Sequence, residues 1–264
     1  MKKHIFLVSA LVLMTVLPGC NKKPEQDNPP LNPDDPVIIM TSEIPAFVQI
    51  YLSGIGTATI YWGDGKPETF KLSVSLDNAQ GIYHSYYSGS GVTLITGKNI
   101  TGLRCNDSKL TDLDVSKNKA LLTLDCAYNQ LTNLDVSTIP YLKDLYCENN
   151  RLTSLNVSEN IGLLELRCYY NQLTSLDVSN SIFLLFLQCS INQLVNLDVG
   201  NNTKLCFLTC FSNQFTSAAL NALFETLPIN NNVKYKDIHI YDNPGTAGCD
   251  RSIAERKGWT PIDL

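Results

Sequence analysis

Cysteine is the residue type through which this chain could do chemistry. There are nine in 264 residues, and six of them follow one another at intervals of 21: Cys105, Cys126, Cys147, Cys168, Cys189 and Cys210. Such a column invites two chemistries, cross-linking and metal binding. Metal is not expected, because zinc sites take their cysteines in closely spaced pairs and this spacing has none. Three histidines leave little room for acid–base chemistry. His84 and His239 are isolated and are read as surface or strand residues. No Ser/His/Asp motif, H-E-x-x-H pair or phosphate-binding glycine loop is found. A second column, Asp114, Asp135, Asp177 and Asp198 with Asn156 interrupting, could be imagined as a calcium ladder. It lacks the glycine-rich frame of calcium-binding β-rolls. These carboxylates are read as turn residues that bond nearby backbone. No catalytic residue, metal or cofactor is therefore expected.

The elements that position the cysteines repeat with them. Leu124-x-Cys126-x-x-Asn129-x-Leu131-x-x-Leu134-x-Val136 is one copy, and Leu145, Cys147, Asn150, Leu152, Leu155 and Val157 give the next. The frame continues through Leu166–Val178 and Leu187–Val199. Ser108 replaces Asn in the first copy and Phe215 replaces Leu in the last. This is the signature of a leucine-rich repeat, with Cys in the third apolar slot. One coil cannot bury its own apolar side, so coils stack around a continuous core. Cys behaves there as a small buried hydrophobe. The Asn ladder is expected to turn inward and bond the backbone, since buried polar groups need partners. Parallel strands about 4.8 Å apart with parallel Cβ vectors do not suit a disulfide, so the column is expected to stay reduced. Cys206 and Cys249 lie off it, and a bond between them is left open. A coil of 21 residues leaves little room for a helix, and Leu134–Ser137 reads as a short extended return.

The chain starts with Lys2, Lys3 and His4, then the uncharged run Ile5–Val16, too short to span a bilayer. This reads as a signal peptide. Leu17-Pro18-Gly19-Cys20 resembles the lipobox of bacterial lipoproteins, which implies that Cys20 is lipidated and becomes the mature N-terminus. Pro18 is off that pattern. Residues 20–36, with five prolines, read as an extended tether. Short β-rich runs fill 37–100, among them Phe47–Leu52 and Thr57–Trp62. Tyr61-Trp62-Gly63-Asp64-Gly65 resembles the W-G-D-G turn of PKD-like β-sandwiches, and Asp64 is read as structural there.

Repeats are placed at 101–216 and a cap at 217–264. In the cap, Ser217–Leu227 has helical spacing, Ile238-x-Ile240-x-x-Asn243 repeats the frame as a seventh strand, and Asp250–Lys257 reads as a short helix. Residues two and one before and one and two after each Cys are expected to face outward and to change from coil to coil. They include Tyr128, Tyr146, Glu148, Glu165, Arg167, Tyr169, Tyr170, Phe186, Phe207 and Phe211. Seven aromatics with nearby charge on one sheet face suggest a recognition surface.

A net charge of −5 argues against a nucleic-acid-binding surface, and 44% hydrophobic residues argue against a disordered chain. Over residues 40–264 the chain resembles leucine-rich-repeat lipoproteins of Bacteroidetes-type bacteria. The W-G-D-G module, the Cys-containing repeats and an Asn243-Pro244-Gly245-Thr246…Cys249-Asp250…Lys257-Gly258-Trp259 tail carry that resemblance. The expectation is a β-rich protein: a solenoid of about seven strands in one parallel sheet after a small β-sandwich-like module, with short capping helices. It is a non-enzymatic, monomeric lipoprotein of the outer membrane, exposed at the surface and touching the membrane only through its lipid. The concave sheet face binds an envelope or extracellular protein or glycan. The alternative is a structural envelope scaffold.

Overall fold

The structure is a computed structural model that describes residues 35–63, 66–87, 91–229 and 236–263. The expected export signal, Cys20, most of the expected tether, Asp64 and Gly65 lie outside the described residues.

Alternating apolar and polar residues build the first part of the chain as antiparallel strands. They are β1 (Val37–Ser42), β2 (Ala46–Gly54), β3 (Thr57–Tyr61), β4 (Glu68–Lys71), β5 (Ile82–Tyr86) and β6 (Val92–Thr96). Ile38, Met40, Val48, Ile50, Ile60 and Ile95 are fully buried. The repeats then contribute β7 (Ile100–Arg104), β8 (Leu110–Asp114), β9 (Thr123–Asp125), β10 (Asp144–Tyr146), β11 (Glu165–Arg167), β12 (Phe186–Gln188) and β13 (Phe207–Thr209). The cap adds α1 (Ser217–Thr226), β14 (Asp237–His239), α2 (Ser252–Glu255) and β15 (Thr260–Ile262).

One ten-stranded sheet runs β15-β14-β13-β12-β11-β10-β9-β7-β2-β5, and a five-stranded sheet runs β4-β3-β6-β1-β8. From β7 to β15 the large sheet is parallel and in register, so Leu103, Leu124, Leu145, Leu166, Leu187, Leu208 and Ile238 lie side by side. The protein is a β-rich leucine-rich-repeat solenoid. β15 adds a parallel strand beyond the seventh; Pro261 sits in it because an edge strand tolerates a missing N–H. The first coil belongs to both sheets: β7 pairs antiparallel with β2, and β8 with β1. The N-terminal strands thereby cover the open end of the stack. At the other end, Thr216 accepts a hydrogen bond from the Ala219 N–H and α1 buries Leu220, Leu223 and Phe224.

Within a coil the Leu, Cys, Leu, Leu and Val of the frame all face the core. Beyond each Cys a left-handed residue turns the chain: Tyr128, Asn149, Tyr170, Ile191 and Ser212 have φ between 50° and 56°. Non-glycine residues rarely hold that conformation, a β-branched one such as Ile191 least of all, so the surrounding bonds must impose it. Those bonds come from the Asn ladder. Asn150 Oδ1 accepts from the Leu131 N–H one coil back, and its Nδ2 donates to the Cys126 and Cys147 carbonyls. Asn129, Asn171, Asn192, Asn213 and Asn243 do the same in their coils. Where the first coil has Ser108, the hydroxyl bonds Gln49 of β2 instead and ties the solenoid to its cap.

On the return side, Asp114, Asp135, Asp177 and Asp198 each accept from the N–H two residues on. A second buried polar column, Asn118, Asn160, Ser181 and Asn202, was not expected from the sequence. Asn160 and Asn202 donate to carbonyls of the preceding coil. Cys206 and Cys249 are free thiols, as are the six ladder cysteines.

Candidate binding face

Strand geometry decides which side chains form the face. The Leu two before each Cys points into the core with the Cys itself. The outward residues of each coil are therefore those three before, one before and one after it. This corrects the offset expected from the sequence; Glu165, Phe186 and Phe207 stand three before their cysteines.

The face divides into two halves. From β7 to β11 it is charged. Arg104 Nε donates to Asp125 Oδ2 at 3.0 Å. Arg167 donates to Glu165 Oε1 from Nε at 2.7 Å and Nη2 at 2.6 Å, and its guanidinium lies 4.7 Å from the Tyr146 ring centroid. Tyr146 Oη donates to Glu165 Oε2 at 3.0 Å, and Thr123 Oγ1 to Asp144 Oδ2 at 3.2 Å. Glu148 is only 6% exposed. Its Oε1 accepts from Tyr169 Oη at 3.5 Å. Burial raises the Asp125, Asp144 and Glu148 carboxyls above the usual range, and burial with the Glu148 charge pushes the Tyr169 phenol up to about 12.

From β12 onward the face is aromatic. Phe186 and Phe207 are 6.4 Å apart, Phe207 meets His239 at 5.5 Å, and Phe211 stacks on Tyr241 at 4.1 Å. His239 and Tyr241 belong to this cluster; they flank Ile240, which takes the Cys place in the seventh strand, although the face read from the sequence stops at Phe211. His239 is thus not isolated, and neither is His84, which stacks on Trp62 at 4.4 Å in the N-terminal strands. Tyr128 and Tyr170 occupy the left-handed turns at the rim, half exposed, and Tyr170 packs edge-on to Tyr169 at 6.3 Å. Among the described residues no group of three or more His, Cys, Asp or Glu is placed to hold a metal ion.

Fold and face together define a leucine-rich-repeat solenoid with one open, chemically varied sheet surface. No protein-family model and no curated protein matches the chain. Among solved structures it is similar to the functional domain of InlJ from Listeria monocytogenes, described as including a cysteine ladder. That likeness has 34% identity and a TM-score of 0.45, covering 60% of this chain and 38% of the other. It is also similar to an internalin, inlF, from Listeria monocytogenes str. 4b F2365, with 21% identity and a TM-score of 0.45, covering 54% of this chain and 42% of that one. The chain thus spans less than half the length of either.

Proposed function

We propose that this protein is a cell-envelope lipoprotein that holds a protein or glycan partner on the open face of its solenoid. The observation that carries the reading is the row Phe186–Phe207–His239 with the Phe211–Tyr241 stack beside it. These rings are not needed to close the core, which the Leu and Cys positions fill on the opposite side of the same strands. Rigid aromatic side chains beside charged groups are what recognition surfaces concentrate. Lipidation at Cys20 and the tether would keep the face near the outer membrane.

The test is a peptide and glycan array probed with the wild type and with a Phe186→Ala/Phe207→Ala variant. At least a tenfold loss of binding is expected of the variant, about 1.4 kcal/mol or more. Undiminished binding overturns the assignment of the face. Protease shaving of intact cells, wild type against Cys20→Ala, tests the address: the wild type should be cleaved at the surface and the variant released. A wild type protected until cells are broken overturns surface display and favours a scaffold inside the envelope.

A further inference from the structure

The ten-stranded sheet does not stop at the repeats. β2 and β5 carry its outward surface past β7, with Tyr51 of β2 opposite Arg104. The outward residues there are Phe47, Gln49, Tyr51, Ser53, Tyr83 and Ser85, none of them charged. Phe47 and Tyr83 are 53% and 55% exposed, and their rings stand 5.8 Å apart and 21° from parallel. Neither ring closes the core, which Val48, Ile50, Ile82 and Tyr86 fill from the other side of the same strands. The Tyr83 ring runs along the sheet rather than up from it, for a Cβ on Gly81 would meet its Oη at 2.3 Å and its Cζ at 2.6 Å. Glycine at 81 thus makes room for the ring. Tyr83 Oη lies 3.3 Å from Tyr51 Oη, which accepts from the Gln49 amide at 2.6 Å. Beyond Tyr51 this surface meets a cleft of about 300 Å³, whose lining includes Ser53, Ser75, Asp77, Arg104 and Asp144. Ser73 Oγ donates to the Asn78 carbonyl and Asn78 Nδ2 to Ser75 Oγ, which holds one wall of the cleft in shape. The Arg104 guanidinium joins the two parts, 5.8 Å from the Tyr51 ring centroid.

We infer that this surface, from the cleft across Tyr51 to the Tyr83–Phe47 pair, binds a neutral oligosaccharide. A sugar ring has an apolar C–H face and a rim of hydroxyls that both donate and accept. The exposed rings supply flat apolar area for the first. The Gln49 amide, the two phenols, Arg104 and the cleft carboxylates supply donors and acceptors for the second. A charged polypeptide finds no counter-charge on the platform, and an anionic glycan would meet Asp77 and Asp144. From Phe47 to Ser53 the strand runs about 20 Å at ordinary rise, which suits a chain of sugars rather than one. β2 lies five strands from β12, about 24 Å at ordinary strand spacing, so this site is separate from the Phe186 row and stands without it.

The test is an array of neutral and uronic-acid oligosaccharides probed with the full chain, followed by titration calorimetry with a bound neutral oligosaccharide. The expected result is binding to neutral oligosaccharides, with affinity at least tenfold lower in Phe47→Ala/Tyr83→Ala. Gly81→Ala, whose methyl displaces the Tyr83 ring, should weaken binding as well, and it decides the matter should the double variant fail to fold by circular dichroism. Phe186→Ala/Phe207→Ala should bind these sugars as the wild type does. Undiminished binding by the Phe47→Ala/Tyr83→Ala variant, binding confined to uronic-acid oligosaccharides, or binding to no oligosaccharide overturns this site and leaves the Phe186 row as it was. Loss of sugar binding with Phe186→Ala/Phe207→Ala and not with Phe47→Ala/Tyr83→Ala also overturns it and supports the row instead.

Discussion

The backbone N–H of Leu152 donates to Oδ1 of Asn171, 19 residues later, at 2.9 Å. The same amide gives its Nδ2 to the carbonyls of Cys147 and Cys168, one in each of two adjacent coils. A single side chain therefore closes its own turn and fastens it to the coil before. Asn171→Ala strands the buried Leu152 N–H and takes from the Cys147 and Cys168 carbonyls one of the two asparagine donors each has, Asn150 and Asn192 remaining, and should destabilise the protein by about 1–3 kcal/mol. Asn156→Ala on the return side loses one exposed acceptor for the Ser158 N–H and should cost less than about 1 kcal/mol. Urea unfolding of the two variants side by side checks the difference.

The ladder thiols should be chemically silent in the native protein. Burial raises Cys147, Cys168 and Cys210 far above the ordinary thiol range and Cys189 to about 12, so the reactive thiolate is suppressed. Cys206 is partly exposed. Peptide mapping after iodoacetamide treatment should find Cys206 labelled first among these, and the column labelled only after denaturation.

Glu148 should cost stability at neutral pH. Its carboxyl is raised by burial, so the native state binds the proton more tightly than the unfolded chain does, and its contribution weakens as pH rises through the folded value. Glu148→Gln should therefore raise the urea midpoint at pH 7. That advantage should vanish as pH falls below about 4.3, where the unfolded carboxyl is protonated as well. Asp177, held low by its bonds from Ser179, works in the opposite direction: it stabilises at neutral pH and loses that contribution on acidification. A pH series of unfolding curves for wild type and variant separates the two.

Gly245 fixes the C-terminal cap by close approach. A Cβ there would stand 2.1 Å from both the Ser217 nitrogen and the Thr216 carbonyl carbon, which are backbone and cannot rotate away. Gly245→Ala should destabilise by about 1–3 kcal/mol or more, with the melting temperature as readout.

The stack itself was legible because identical residues recur at a fixed interval and only one geometry buries them all. The inward Asn ladder and the turn-bonding Asp column followed from the same frame. What the repeat could not convey lay where it breaks. His239 and Tyr241 join the aromatic half from the seventh strand, where Ile replaces Cys, and their ring contacts with Phe207 and Phe211 are tertiary. The left-handed turn is filled by Tyr, Asn, Ile and Ser in different coils, residues with no common preference for it, because the asparagine bonds impose the conformation. Asn118, Asn160, Ser181 and Asn202 are interrupted by Ile139, which hides the second polar column. The shared first coil is a tertiary pairing of β7 with β2 and β8 with β1, and pairing of that kind has no local signature.

The asparagine bonds that join the 21-residue coils are repeated at the same offset, Leu131 to Asn150, Leu152 to Asn171, Leu173 to Asn192. Through these bonds each of those coils meets its neighbours in the same way as the others. Duplication or loss of 21 residues within the stack would leave both caps seated as before and change the length of the open face by about 4.8 Å. The reach of this surface is thus set in whole coils, whereas the chemistry it presents is set one outward residue at a time, and the two can vary independently.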